Sequence, residues 1–209
     1  MNKFVYIVLA FTSIAVGAAS FSYLTKKPLP DYALYYQEPR ALNTFSFTDE
    51  QGQAFTNKQL ENKWSIVFLG YTSCPDVCPT TLQNLNFIYD DLTNIASNSQ
   101  VLFVSADPSR DTVDKLSQYI NYFNKDFKAL RADHDVLFPF SRNLGLMYAI
   151  NSTDIEDKIY GVDHSASLVL INPQAQIAAI FKPEHNIGTI PVINNEKLLS
   201  DFKKIVSLY

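Results

Sequence analysis

Residues Phe4 to Leu24 form one mostly apolar stretch without a charged side chain, between Lys3 and the pair Lys26 and Lys27. An α-helix rises about 1.5 Å per residue, so a run of this length crosses a hydrocarbon core of about 30 Å. The pattern predicts a single N-terminal transmembrane helix or a signal peptide. Val16-Gly17-Ala18 and Ala18-Ala19-Ser20 are small-residue patterns suited to cleavage, while the uninterrupted length favours the anchor. Lys3 and the later lysines oppose one another, so flanking charge sets no orientation. Either reading exports the remainder of the chain. No Arg-rich, Ser-rich transit peptide precedes the run, which points to a bacterial protein facing the periplasm. Pro28, Pro30 and Pro39 then interrupt regular structure. The expected organisation is an anchor or signal segment over 1–27, a linker over 28–41 and one folded domain over 42–209.

Within that domain the apolar positions switch between period two and period 3.6. Thr44 to Thr48 alternates and predicts a half-buried strand; a turn comes next, and Ala54-Phe55 returns. Trp64 to Leu69 and Val101 to Val104 are short continuous apolar runs, as in strands covered on both faces. Leu82, Leu85, Phe87, Ile88, Leu92 and Ile95 predict one helix; Val113, Leu116, Tyr119, Ile120 and Phe123 predict a second, opened by Asp111. Phe127 to Leu130 predicts a strand, and Val136 to Leu144 a helix weakened by Pro139. Ser167 to Ile171 and Gln176 to Phe181 predict a hairpin about Asn172-Pro173. Glu196 to Leu208 closes as a helix. Strands alternating with helices imply an α/β fold with a partly parallel, mixed central sheet. The order fits a thioredoxin-like domain with an N-terminal β extension and an insertion before the hairpin.

Composition narrows the chemistry. Seventeen Lys+Arg against 21 Asp+Glu give a net charge of −4, with no basic excess to neutralise nucleic-acid phosphates. The six glycines fall in no phosphate-cradling pattern. Two cysteines make neither a disulfide scaffold nor a four-thiolate site.

Both cysteines lie in Gly70-Tyr71-Thr72-Ser73-Cys74-Pro75-Asp76-Val77-Cys78-Pro79-Thr80, between a predicted strand and a predicted helix, where open α/β sheets place ligand sites. Each precedes a proline, which pushes it out of the α region. Pro79 fits the first helical position and makes Cys78 the N-cap, where the helix terminus lowers a thiol pKa and Asp76 opposes that effect. A disulfide across so short a loop constrains the unfolded chain little. A redox pair or a metal site remains. Thiolates select Cu(I) or Zn, and two of them leave either ion under-coordinated. The candidates for a third ligand are His134, His164 and His185. His164 stands just before the predicted hairpin, in a loop that a thioredoxin-like fold sets beside the cysteines. His134 follows Asp133 at a helix start, and His185 lies in a Pro/Glu surface loop. The long interval between Cys78 and His164 does not match a structural zinc site.

The segment 70–82, Asp107-Pro108-Ser109-Arg110-Asp111-Thr112 and Asp163-His164-Ser165 occur in this order. Together they resemble the Sco/SenC family of copper proteins, over residues 42–209. The resemblance implies a thioredoxin-like domain anchored on the outer, periplasmic side of the cytoplasmic membrane. It implies copper, Cu(I) or Cu(II), held by Cys74, Cys78 and His164. It implies a role in assembling the dinuclear copper centre of cytochrome c oxidase. The copper-site subunit of that enzyme is then the partner, alongside other periplasmic copper or thiol-redox proteins. Ala175 departs from the family, which commonly has glycine in that hairpin turn.

Two functions compete. A metallochaperone would hold copper on the three residues and pass it to an acceptor thiolate by ligand exchange. A thiol–disulfide oxidoreductase or redox sensor would use Cys74 and Cys78 as its redox-active pair. The loop lacks C-x-x-C spacing, and no proline precedes the His164 hairpin where such reductases carry one. A peroxidase is a weaker third reading. Asp107, Arg110 and Asp111 follow a central strand; they either dock a partner and tune the site, or cap a helix and form a local ion pair. Asp163 either orients His164 or makes a turn. Aromatic residues such as Phe87, Tyr89, Tyr119, Tyr122 and Phe123 read as packing.

Overall fold

The computed structural model describes residues 3–24, 27–151, 160–184 and 190–209. It begins with α1 (Lys3–Leu24), then β1 (Leu34–Ala41), the hairpin β2 (Ser46–Asp49) and β3 (Ala54–Thr56), and a 3₁₀ turn at Asn57–Leu60. The central units are β4 (Trp64–Gly70), α2 (Val77–Phe87), α3 (Tyr89–Ile95), β5 (Ser99–Ser105), α4 (Val113–Phe123), β6 (Lys128–Arg131) and α5 (His134–Leu144). The chain closes with β7 (Tyr148–Asn151), β8 (Gly161–His164), β9 (Leu168–Ile171), β10 (Gln176–Phe181) and α6 (Asn195–Leu208).

One sheet runs β1-β10-β9-β4-β5-β6-β2-β3. β4–β5 and β5–β6 are parallel; the other pairings are antiparallel. The mixed sheet and the N-terminal β extension expected from the pattern are both present. Every residue of β4 is buried, and all of β5 except its first, as continuous apolar runs require when helices cover both faces. The amphipathic helices supply the cover: Leu116 and Ile120 from α4, and Leu198, Phe202 and Ile205 from α6.

Several elements differ from the periodicity. Residues 28–41, expected as a linker, contain β1, which pairs with β10 and has an irregular register between Tyr35 and Arg40. A sheet edge tolerates Pro39 because one side of the strand needs no donor. The approach to β1 is fastened by Asp201 of α6, a fully buried carboxylate. It accepts backbone N–H bonds from Asp31 (2.9 Å), Tyr32 (2.6 Å) and Ala33 (2.7 Å).

The helix expected over 82–95 is two helices, broken at Ile88 (φ −101°, ψ 7°). The break keeps Ile88 in the core, leaves Phe87 81% exposed and aims Tyr89 edge-on at Phe127. Apolar spacing continues through it, so periodicity does not reveal it. α4 is capped by Thr112, whose hydroxyl accepts from Lys115 N–H, rather than by Asp111. Pro139 sits inside α5 and costs a backbone hydrogen bond; buried Leu137, Phe140 and Leu144 hold the helix in place. The insertion before the hairpin forms a separate antiparallel ribbon of β7 and β8. Three of the four residues of β7 are exposed, so it carries no inward-outward alternation to read.

α1 is 22 residues long and exposes Phe4, Phe11, Ile14, Val16 and Phe21; several of its side chains lie outside the described set. Among the described residues, no helix is long and apolar enough to cross a membrane.

Candidate metal centre

Parallel strands β4 and β5 end side by side, with Gly70 opposite Ser105. The loop leaving β4 carries Cys74 and leads into α2; the loop leaving β5 leads into α4. The end of β8 brings His164 to the same place.

Cys74 is half-buried in the loop, and Cys78 is fully buried. Cys78 is not the N-cap. Asp76 is, with no capping bond from its side chain, and α2 begins at Val77. Cys78 is therefore the second residue of a regular helix, contrary to the expectation from Pro79. The first four N–H groups of a helix have no partner within it, so Pro79, as the third residue, sacrifices no hydrogen bond there. The free N–H of Cys78 instead points at Cys74 Sγ, 3.4 Å away. The helix terminus thus acts on Cys74 rather than on Cys78.

The two thiols separate in acidity. Cys74 is held down to about 4, first by a hydrogen bond from the Cys78 thiol. His164 and the backbone N–H groups of Cys78 and Asp76 add to this, while burial opposes it. Burial pushes Cys78 up, and the neighbouring Cys74 adds to the rise. The shifts favour a thiolate on the half-buried Cys74 and a thiol on the buried Cys78.

Gly70 makes room for this arrangement. A Cβ on Gly70 would lie 2.7 Å from Cys78 Sγ and 2.8 Å from Phe103 Cε2. His164 Nε2 lies 3.3 Å from Cys78 Sγ and 4.0 Å from Cys74 Sγ. Its Nδ1 is 3.3 Å from the Ser165 carbonyl. A carbonyl only accepts, so Nδ1 donates to it, and Nε2 is the ring atom that faces both sulfurs. Phe68 and Tyr71 each present a ring edge-on to the imidazole, 5.9 Å between centroids.

The ligand atoms of Cys74, Cys78 and His164 all lie within 4.8 Å of one another, close enough to hold one metal ion. A cavity of about 570 Å³ opens beside them, lined by Cys74, Asp76, Asp163, His164 and Lys182. His134 is elsewhere, its Nδ1 2.8 Å from the Tyr148 hydroxyl. His185 lies outside the described residues. Asp163 is exposed on β8, and the bond that orients His164 comes from Ser165.

Asp111 and Asp107 of the second motif meet, beside the site, two residues that the sequence did not single out, Thr72 and Tyr160. Asp111 is fully buried and accepts from Thr72 N–H (3.0 Å), Thr72 Oγ1 (2.5 Å) and Ser105 Oγ (2.7 Å). Asp107, also fully buried, accepts from the Tyr160 hydroxyl (2.7 Å) and from Arg110 Nε. Thr72 and Tyr160 have no periodic signature; only their partners' motif hinted at a role.

A thioredoxin-like α/β domain with two cysteines and a histidine converging at the ends of its parallel strands defines a class of metal-binding thiol protein. The family model for SCO1/SenC matches residues 35–195, and this chain belongs to that family. A putative copper-binding protein from Stutzerimonas stutzeri is 33% identical over 139 residues, 66% of this chain and 67% of that one. Among solved structures, Arabidopsis thaliana ScoI with copper bound matches with a TM-score of 0.69 and 26% identity, covering 80% of this chain and 98% of that one. Bradyrhizobium japonicum ScoI with copper bound matches with a TM-score of 0.64 and 28% identity, covering 79% and 99%.

Proposed function

We propose that this protein is a copper carrier that binds one copper ion through Cys74, Cys78 and His164 and serves assembly of the dinuclear copper centre of cytochrome c oxidase. The convergence of two sulfurs and one imidazole nitrogen within 4.8 Å carries the reading. Thiolate sulfur with imidazole suits copper, and the Arabidopsis and Bradyrhizobium relatives hold copper. The low pKa of Cys74 favours its thiolate at neutral pH, His164 Nε2 faces both sulfurs, and the second thiolate comes from Cys78, whose proton must leave on loading. The open cavity beside Cys74 gives an acceptor thiolate a path to displace one ligand at a time. Oxidising this thiolate–thiol pair to a disulfide removes two electrons and one proton and abolishes both sulfur ligands, so redox state gates loading.

The proposed setting is the outer face of the cytoplasmic membrane, with α1 as a single-pass anchor. Its support is the uncharged run from Phe4 to Leu24 and the apolar side chains that α1 exposes. The proposed acceptor is the copper-site subunit of the oxidase, as the family resemblance implies.

The test is a Cu(I) titration of the reduced chain against a competing chelator. One equivalent should bind tightly, and His164→Ala, Cys74→Ala and Cys78→Ala should each weaken it. Unchanged affinity in all three variants overturns the ligand assignment. A second reading, thiol–disulfide exchange with an acceptor, is favoured by the low pKa of Cys74. Reduction of an acceptor by copper-free protein, with no copper transfer to the same acceptor, would select it.

A further inference from the structure

The strand carrying His164 is not part of the main sheet. Among the described residues β8 pairs only with β7, in a ribbon of its own, whereas the cysteine loop hangs from β4 at the centre of the main sheet. Backbone ladders hold His164 only at one end, through the short link to β9, whose Leu168 pairs with Phe68 of β4; the rest of β8 has to be positioned by side chains.

The loop from Ala106 to Thr112 reaches both halves. On one side Asp111 holds Thr72 by backbone and hydroxyl, two residues before Cys74. On the other, Asp107 takes the Tyr160 hydroxyl, four residues before His164. Arg110 completes that second grip. Its Nη1 donates to the Tyr160 carbonyl at 2.9 Å, and its guanidinium lies 3.6 Å from the centre of the Tyr160 ring. The two grips are joined within the loop. Ser105 Oγ donates to Asp111 and accepts from Asp107 N–H. Arg131 of β6 braces the loop from behind, through the carbonyls of Pro108 and Asp111. Two fully buried carboxylates persist in a core only when their partners satisfy them, and here Thr72, Ser105, Tyr160 and Arg110 supply the donors.

We infer that the Ala106–Thr112 loop is a brace that sets the distance between the cysteine loop and the histidine strand. Asp111 and Asp107 are positioning residues acting through Thr72 and Tyr160. The inference rests on Cys74, Cys78 and His164 being the copper ligands.

Removing either carboxylate would strand buried donors and endanger folding, so the test removes hydroxyls from the gripped side. Tyr160→Phe keeps the ring under Arg110 and deletes only the bond to Asp107; Thr72→Val does the same for Asp111. Tyr160→Phe should lower Cu(I) affinity about tenfold, the usual range for loss of an outer support of a metal ligand. In a His164→Ala background the same change should cost nothing further, because the ligand it positions is gone. Thr72→Val should weaken binding in both backgrounds. An equal loss from Tyr160→Phe in both backgrounds, or no loss in the native one, overturns the brace.

A copper-free measurement separates this from failure of the ligand assignment. Tyr160→Phe should speed amide hydrogen exchange at Val162 to Ser165 about tenfold while leaving α6 unchanged. Unchanged exchange on β8 overturns the brace, whatever the copper titration shows.

Discussion

His164 Nε2 sits 3.3 Å from Cys78 Sγ although 86 positions separate them in the chain. The contact is possible because Gly70 has no side chain beneath the sulfur. With a Cβ placed 2.7 Å from Cys78 Sγ and 2.8 Å from Phe103, the sulfur or the strand must move. Gly70→Ala should therefore weaken copper binding at least tenfold and cost about 1–3 kcal/mol of stability, as overpacking does. Copper competition and urea unfolding read the two effects separately. Native affinity in this variant would mean that Cys78 can shift freely, against its packing here.

The asymmetry of the thiols predicts a pH profile. Cys74 has a pKa of about 4, so raising the pH through that value converts it to thiolate. Alkylation at Cys74 in the reduced, copper-free chain should rise to a plateau by about pH 6 and stay flat to about pH 8, with Cys78 unmodified. Peptide mass spectrometry after timed iodoacetamide treatment measures both. A Cys74 rate that climbs steadily up to about pH 8 would be that of an ordinary thiol and would contradict the hydrogen bonding described.

Ala175 takes a left-handed backbone, φ 56°, in the β9–β10 turn. Asn172 Oδ1 fixes that turn by accepting from the N–H groups of Gln174 and Gln176. An L-residue pays about 1–2 kcal/mol in this region, partly offset because glycine loses more chain entropy on folding. Ala175→Gly should raise stability by about 0.5–1 kcal/mol, seen as a higher urea midpoint at unchanged slope, with no change in copper affinity. A lower midpoint would show that the turn is unstrained.

Asp201 gathers three successive backbone donors at residues 31–33. Asp201→Ala leaves those N–H groups without their acceptor and should cost about 2–4 kcal/mol, on the scale of hydrogen bonds to a charged group. Denaturant unfolding measures the loss, and hydrogen exchange should show β1 opening first. A variant as stable as the native chain would show that β1 is held by its pairing with β10 alone.

Local chemistry was enough to read most of this molecule. Continuous apolar runs mark β4 and β5, the Asn172-Pro173 turn marks the hairpin, and prolines beside both cysteines mark a loop that leaves a buried strand. Two thiols and few histidines limited the metal ligands to a short set, and the family motifs chose His164 among them. Elements whose cause is remote were not readable. Residues 34–41 look like a linker because their strand is made by pairing with β10 and by Asp201, far along the chain. The break at Ile88 preserves apolar spacing and goes with the burial of Ile88 and the edge-on contact of Tyr89 with Phe127. The N-cap of α2 moved to Asp76 because Cys78 N–H finds its acceptor in the folded loop, on Cys74. Thr72 and Tyr160 gain meaning only when two buried carboxylates meet them across the fold. Sequence pattern records what a residue prefers within a few positions; convergence of groups from β4, β5 and β8 is set by packing free energy summed over the whole core, and only the tertiary structure expresses that sum.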